Sequence, residues 1–234
     1  MASNSPVLDV ATVLRSLAAT RRVFHSEADL QFAFAWTAKS LDPRLEVRLE
    51  THPEPNVRLD LQITDPSSGA GLAIELKYMS RLWVGVDAAE AYALTNHGAR
   101  DLRCYDVVKD IERVERFVEA RAGWTGYVIA LTNEPSYWRP PTHRRATNAD
   151  AFRLYEGAVL HGDRAWGPYV GGTARGREAP IRLRDAYHLA WSDYSRIDGT
   201  PAGTFRVLVI PVGAEPSKSP TRSESPDVEG LPRV

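Results

Sequence analysis

Three residues stand at a spacing suited to hydrolytic chemistry: Asp60, Glu75 and Lys77. Asp60 lies in Val57–Thr64, where Val57, Leu59, Leu61 and Ile63 alternate with Arg58, Asp60 and Gln62. Glu75 and Lys77 lie in residues 72–78, where Leu72, Ile74, Leu76 and Tyr78 alternate with Ala73, Glu75 and Lys77. A strand's two-residue period puts alternate side chains on one face. Each segment therefore reads as a strand with an apolar and a polar face. The Asp65-Pro-Ser-Ser-Gly-Ala-Gly71 stretch between them is a dense turn signal, so the two form an antiparallel hairpin. Two carboxylates and one ammonium then share a small area. Carboxylate oxygens are the ligands that hard divalent ions such as Mg²⁺ prefer. A lysine beside such an ion can orient water or stabilise developing negative charge, and the ion itself can act as a Lewis acid toward a phosphoryl oxygen. Glu and Lys two apart also alternate on many solvated strand faces, where the pair contributes ~0–1 kcal/mol. The surrounding elements separate the two readings.

Those elements follow from periodicity. A first helix is predicted over residues 9–20, with Asp9 as N-cap and Val10, Val13, Leu14 and Leu17 as its apolar stripe. A second begins after the N-cap Ser26, repeats Leu30, Phe34 and Leu41 along one side, and stops at Pro43. Residues 45–50 form a strand before the hairpin. A long helix spans residues 101–122, with Val107, Val108, Ile111, Val114 and Val118 facing inward and Gly123 after its end. Residues 126–132 are almost continuously apolar, as in a central strand buried on both faces. Residues 187–194 and Thr204–Val212 read as two further strands of the same sheet. The chain is expected to form one α/β domain over residues 1–213. Its core is about 26–132, a basic irregular insertion covers about 134–184, and a sheet extension covers about 187–212. The Ser- and Pro-rich residues 214–234 bury too little apolar surface to offset ordering and are expected to be disordered.

Arg58-Leu-Asp60 followed by Ile74-Glu75-Leu76-Lys77 resembles the D…ExK signature of the PD-(D/E)XK nuclease superfamily. The helix–three strands–helix–strand order of residues 26–132 resembles that family's restriction-endonuclease-like αβββαβ core around a mixed central sheet. Leu59 stands where the motif's proline would be. The resemblance implies a metal-dependent nuclease, with Mg²⁺ as cofactor and Mn²⁺ as its substitute; a role in restriction, phage defence, repair or a mobile element would each fit. It implies metal binding by Asp60 and Glu75, with the Leu76 carbonyl as a further ligand, and a catalytic role for Lys77. A glutamate from the helix before the sheet often joins such sites, and Glu27 matches that place. In folds of that family the start of this helix can approach the scissile phosphate, so the resemblance makes Lys109 a candidate phosphate contact, with Tyr105 and Asp106 supporting it. The implied partner is nucleic acid, DNA in the first instance, with room for a homodimer or a protein partner.

Charge is compatible with this. The net charge of −1 excludes a uniformly basic protein, but not a local basic groove. Residues 139–184 hold nine Arg and no Lys against four acids, a surplus of +5 that leaves −6 for the remainder. Arg139, Arg144 and Arg145 lie near Tyr137 and Trp138 and suit phosphate contact and base stacking. The single Cys104 excludes a disulfide framework. There is no HExxH, no GxxxxGK[ST] and no GxSxG, which disfavours histidine-built zinc sites, phosphate-loop ATPases and common serine hydrolases. No run of about 18 apolar residues occurs and no secretory pattern opens the chain, so the sequence reads as soluble and cytoplasmic. Two alternatives remain open at this level: a nucleic-acid-binding or scaffold protein that does not cleave, and a structural protein whose charged strand face is merely wet.

Overall fold

The computed structural model describes residues 7–55, 57–142, 145–168 and 171–213. It is an α/β structure with three α-helices and a mixed six-stranded central sheet. Helix α1 (Val10–Thr20) starts where the Asp9 carboxylate accepts the Ala11 amide, and α2 (Glu27–Leu41) where the Ser26 hydroxyl accepts that of Asp29. Strands β1 (Glu46–Glu54), β2 (Val57–Thr64) and β3 (Gly71–Met79) follow. Then come a small hairpin, β4 (Trp83–Asp87) and β5 (Glu90–Leu94), the long helix α3 (Arg100–Glu119) and β6 (Trp124–Thr132). The C-terminal part adds β7 (Val159–Arg164), β8 (Ile181–His188), β9 (Trp191–Arg196) and β10 (Thr204–Val212). The central sheet runs β1-β2-β3-β6-β10-β9. Only β3 and β6 are parallel; the other neighbours are antiparallel. A parallel pair requires a long crossover, and α3 provides it.

That crossover decides which faces are dry. Leu61, Ile63, Ile74, Leu76 and Tyr78 pack with α1 and α2 on one side. Leu59, Ala73, Val128 and Ala130 pack with Val107, Ile111 and Val114 of α3 on the other. The expected antiparallel hairpin is present, but its polar side is not open: α3 lies on that face, and every residue of β3 but the half-buried Lys77 is buried. Small residues make the close approach possible. A Cβ added to Gly126 would stand 2.1 Å from a Val114 methyl, so a larger residue would lift α3 off the sheet.

Other boundaries also differ. Residues 187–194 are not one strand. Leu189 and Ala190 separate two strands: Tyr187 belongs to β8, which pairs with β7 outside the central sheet, while Trp191 starts β9 beside β10. Alternation does not mark the β4–β5 hairpin, because the outward Val84 and Val86 are apolar while the charged Asp87 is buried. Glu115, buried in α3, accepts the Arg184 amide at 3.1 Å and the Tyr187 hydroxyl at 2.7 Å, and so ties β8 to the helix. The predicted disorder of residues 214–234 falls outside the described residues. Among the described residues no helix is long and apolar enough to cross a membrane.

Candidate active site

The site forms where β2 leaves β3. The two strands pair from Thr64 opposite Gly71 to Leu61 opposite Ile74, and no further. Beyond that point the upper half of β3 has lost its neighbour on this edge, although it stays paired with β6 up to Met79. The Leu76 and Tyr78 amides then need acceptors, since unpaired buried backbone groups are costly. Two carboxylates replace the missing strand. Asp60 Oδ2 accepts from the Leu76 N–H at 2.8 Å, and Glu27 Oε2 accepts from the Tyr78 N–H at 2.9 Å. Glu27 reaches there because it is the first residue of α2, whose Leu30 and Phe34 anchor the helix against the sheet. Leu59 and Leu61, two residues apart, lie in different core layers, so the simple alternation breaks at Asp60.

Helix α3 closes the cluster from the other side. Lys77 Nζ lies 2.9 Å from Asp110, 3.9 Å from Asp60 and 3.3 Å from the Leu76 carbonyl it donates to. Arg113, one turn along the helix from Asp110, pairs with it and also stands 3.1 Å from Glu75. Its other contact is the Arg58 carbonyl of β2 at 3.0 Å. One guanidinium thus links α3, β3 and the departing β2.

Four carboxylates (Glu27, Asp60, Glu75 and Asp110) face two cations (Lys77 and Arg113), so full ionisation would leave a charge of −2 in a largely dry space. Glu75 is 1% exposed and Asp110 2%. Burial first, then the charges of Asp110 and Asp60, pushes Glu75 up to about 9. Burial likewise raises Asp110 and Glu27 above the usual carboxylate range, against the pull of nearby cations. Burial opposes the Lys77 ammonium, but Asp110, Asp60 and Glu27 outweigh it and hold its pKa above the ordinary lysine value. Glu75 Oε1 and Asp110 Oδ2 are buried without an aligned hydrogen bond, each having only an ion contact. Among the described residues, no three or more His, Cys, Asp or Glu side chains already stand as a metal-holding group. Lys77 and Arg113 occupy the space between the acids. The donor set itself, hard oxygens with two unaligned acceptors, is of the kind that suits Mg²⁺.

Of the residues singled out from the sequence, Asp60, Glu75, Lys77, Glu27 and the Leu76 carbonyl come together here. Tyr105 does not: it is buried in an aromatic group, 5.5 Å from the Trp166 ring and 5.2 Å from the Phe152 ring. Asp106 is half-buried and Lys109 exposed, and neither contacts Lys77 or Glu75, because the helix turns Asp110 and Arg113 inward instead. The three-residue step from Asp106 to Lys109 and the next residue, Asp110, put all three near one side; burial separates Asp110 from the other two. Arg139 is exposed and Arg145 is also on the surface, while Arg144 lies outside the described residues. Tyr137 and Trp138 are buried, so their rings are not open platforms for bases. Asp110 and Arg113 were missed as site residues. A signal existed: an acid and an arginine at i and i+3 lie in line with the buried Val107, Ile111 and Val114 stripe.

No protein-family model matches the chain, and no curated protein or solved structure matches it either.

Proposed function

We propose that the protein is a metal-dependent nuclease of the restriction-endonuclease-like kind. The observation that carries the reading is the departure of β2 from β3, which gathers Asp60, Glu75, Lys77 and Asp110 into one buried cluster with two more acids than bases. A structural ion pair would balance its charges; a surplus of carboxylates is what a divalent cation relieves. Asp60 and Glu75, with the Leu76 carbonyl beside them, would hold the ion. When bound, the ion supplies Lewis acidity toward a phosphoryl oxygen and neutralises charge. The chain's own residues do the rest. Asp60 and Glu27, held by β3 amides, keep fixed positions. Lys77, kept protonated by three carboxylates, donates hydrogen bonds to the attacking water or to a phosphoryl oxygen as charge builds during phosphodiester hydrolysis. Asp110 positions Lys77, and Arg113 positions Glu75.

A panel of single- and double-stranded DNA and RNA with Mg²⁺ or Mn²⁺ tests this. Cleavage is expected, and Lys77→Ala is expected to lower its rate about 10²–10³-fold, the range for losing one preorganised donor. An unaltered rate in Lys77→Ala would overturn the mechanism, and intact substrates across the panel would overturn the activity. One observation favours a second reading, a nucleic-acid-binding protein that does not cleave: Lys77 and Arg113 already engage the acids that a metal would need. Binding that persists in EDTA, without turnover when metal is added, would select it.

A further inference from the structure

Outside the acid cluster, a groove opens at the carboxyl ends of the parallel strands β3 and β6. In open α/β sheets that crevice is where ligands bind. Two adjoining hollows of about 570 and 540 Å³ share Arg100, Glu134 and Ser136. The second also carries Arg81, Arg139 and Arg153. Four arginines line the groove against two acids, Asp101 and Glu134. Two of the arginines are engaged: Arg81 is 3.8 Å from Glu134, and Arg153 is 2.8 Å from Asp150. Among the described residues, Arg100 and Arg139 have no carboxylate partner.

The start of α3 forms the groove's wall. Ala99 precedes the helix in the left-handed region (φ 56°, ψ 48°), and no side chain caps it. The Leu102 and Arg103 amides bond to the Ala99 carbonyl, so those of Arg100 and Asp101 remain for another acceptor. Such amides, at the positive end of a 20-residue helix, attract anions. The loop that presents them is anchored to the end of β3. The His97 amide donates to the Ser80 carbonyl at 2.9 Å, and the Ser80 hydroxyl donates to the Thr95 carbonyl at 2.8 Å.

A separate feature points to a ligand. Tyr137 lines the first hollow and is only 3% exposed, yet its hydroxyl has no hydrogen-bond partner. Arg100, Asp101 and Leu102, the first residues of α3, line the same hollow; burial raises the pKa of the hydroxyl and keeps it a donor. Buried hydroxyls are rarely left unpaired.

We propose that this groove is a phosphate subsite in which Arg100, Arg139 and the first amides of α3 hold a backbone phosphate of the nucleic-acid strand, apart from the bond that is cut. The strand's identity rests on the nuclease reading; the affinity for phosphate does not. The test is fluorescence anisotropy in EDTA with labelled 5′-hydroxyl and 5′-phosphate oligonucleotides over a salt series. The full-length protein is compared with Arg100→Ala/Arg139→Ala, Tyr137→Phe, and a control, Arg48→Ala, on the far edge strand. The double variant is expected to bind both oligonucleotides about tenfold more weakly and to lower the slope of log affinity against log salt by about 1.5, as for two lost phosphate contacts. Tyr137→Phe is expected to weaken binding about threefold while melting like wild type. Unchanged affinity and slope in the double variant would overturn the subsite, as would an equal loss in Arg48→Ala. A loss confined to the 5′-phosphate oligonucleotide would overturn a backbone contact in favour of an end-phosphate pocket. Hydrolysis is read separately: binding through Arg100 and Arg139 with no cleavage in Mg²⁺ removes the nuclease reading alone, and cleavage with binding intact in the double variant removes the subsite alone.

Discussion

Replacing Glu75 by Gln should stabilise the metal-free protein, and increasingly so as pH rises. Glu75 is 1% exposed and titrates near 9 in the fold against an ordinary value of 4.5. Its folded pKa is raised, so its contribution to stability is fully present below about pH 4.5 and is lost as pH climbs toward about 9. Each unit between those limits costs about 1.4 kcal/mol. Holding the proton on Glu75 at pH 7, when the unfolded chain would release it, therefore costs about 3 kcal/mol. Gln has nearly the shape of the protonated acid and no charge to lose. The stability gap between Glu75→Gln and wild type should widen by about 3 kcal/mol between about pH 5.5 and about pH 7.5. Urea unfolding in EDTA at several pH values, extrapolated linearly to water, reads this directly. A gap that stays constant across that range would refute the argument, because it would mean that Glu75 ionises as easily inside the fold as outside it. Repeating the series in Mg²⁺ adds a second readout: the ion should stabilise wild type more than Glu75→Gln.

Three further outcomes are expected. Asp110→Ala leaves Lys77 and Arg113 without their shared carboxylate in a buried site, and should cost about 3–5 kcal/mol in urea unfolding; a loss under about 1 kcal/mol would mean that water already screens the cluster. Gly126→Ala drives a methyl into Val114 and should cost about 1–3 kcal/mol, with Val114→Ala in the same chain recovering part of it. Failure of that rescue in a double-mutant cycle would show that the contact is not what holds α3 close. Glu115→Ala removes the acceptor of the Arg184 and Tyr187 donors and should cost about 1–3 kcal/mol. Amide exchange should then speed up in β8 before β3 or β6, and uniform acceleration would contradict the local role of Glu115.

The local pattern alone determined a good deal. Caps at Asp9 and Ser26 act over two or three residues, and a strand's alternation needs no distant partner, so α1, α2, β2, β6 and β10 could be read almost to the residue. The same alternation placed Glu75 and Lys77 on one face of one strand. What that face meets could not be read this way, because it depends on where a crossover helix comes to rest. Tertiary packing laid α3 over it, turned an apparently wet strand into a dry one, and made an ordinary glutamate hard to ionise. It also recruited Asp110 and Arg113, more than thirty residues away in the chain, and separated them from the half-buried Asp106 and the exposed Lys109, which share their helix. The point at which β2 leaves β3 belongs to the same class: there Asp60 and Glu27, from two different elements, together satisfy the amides that β2 no longer pairs.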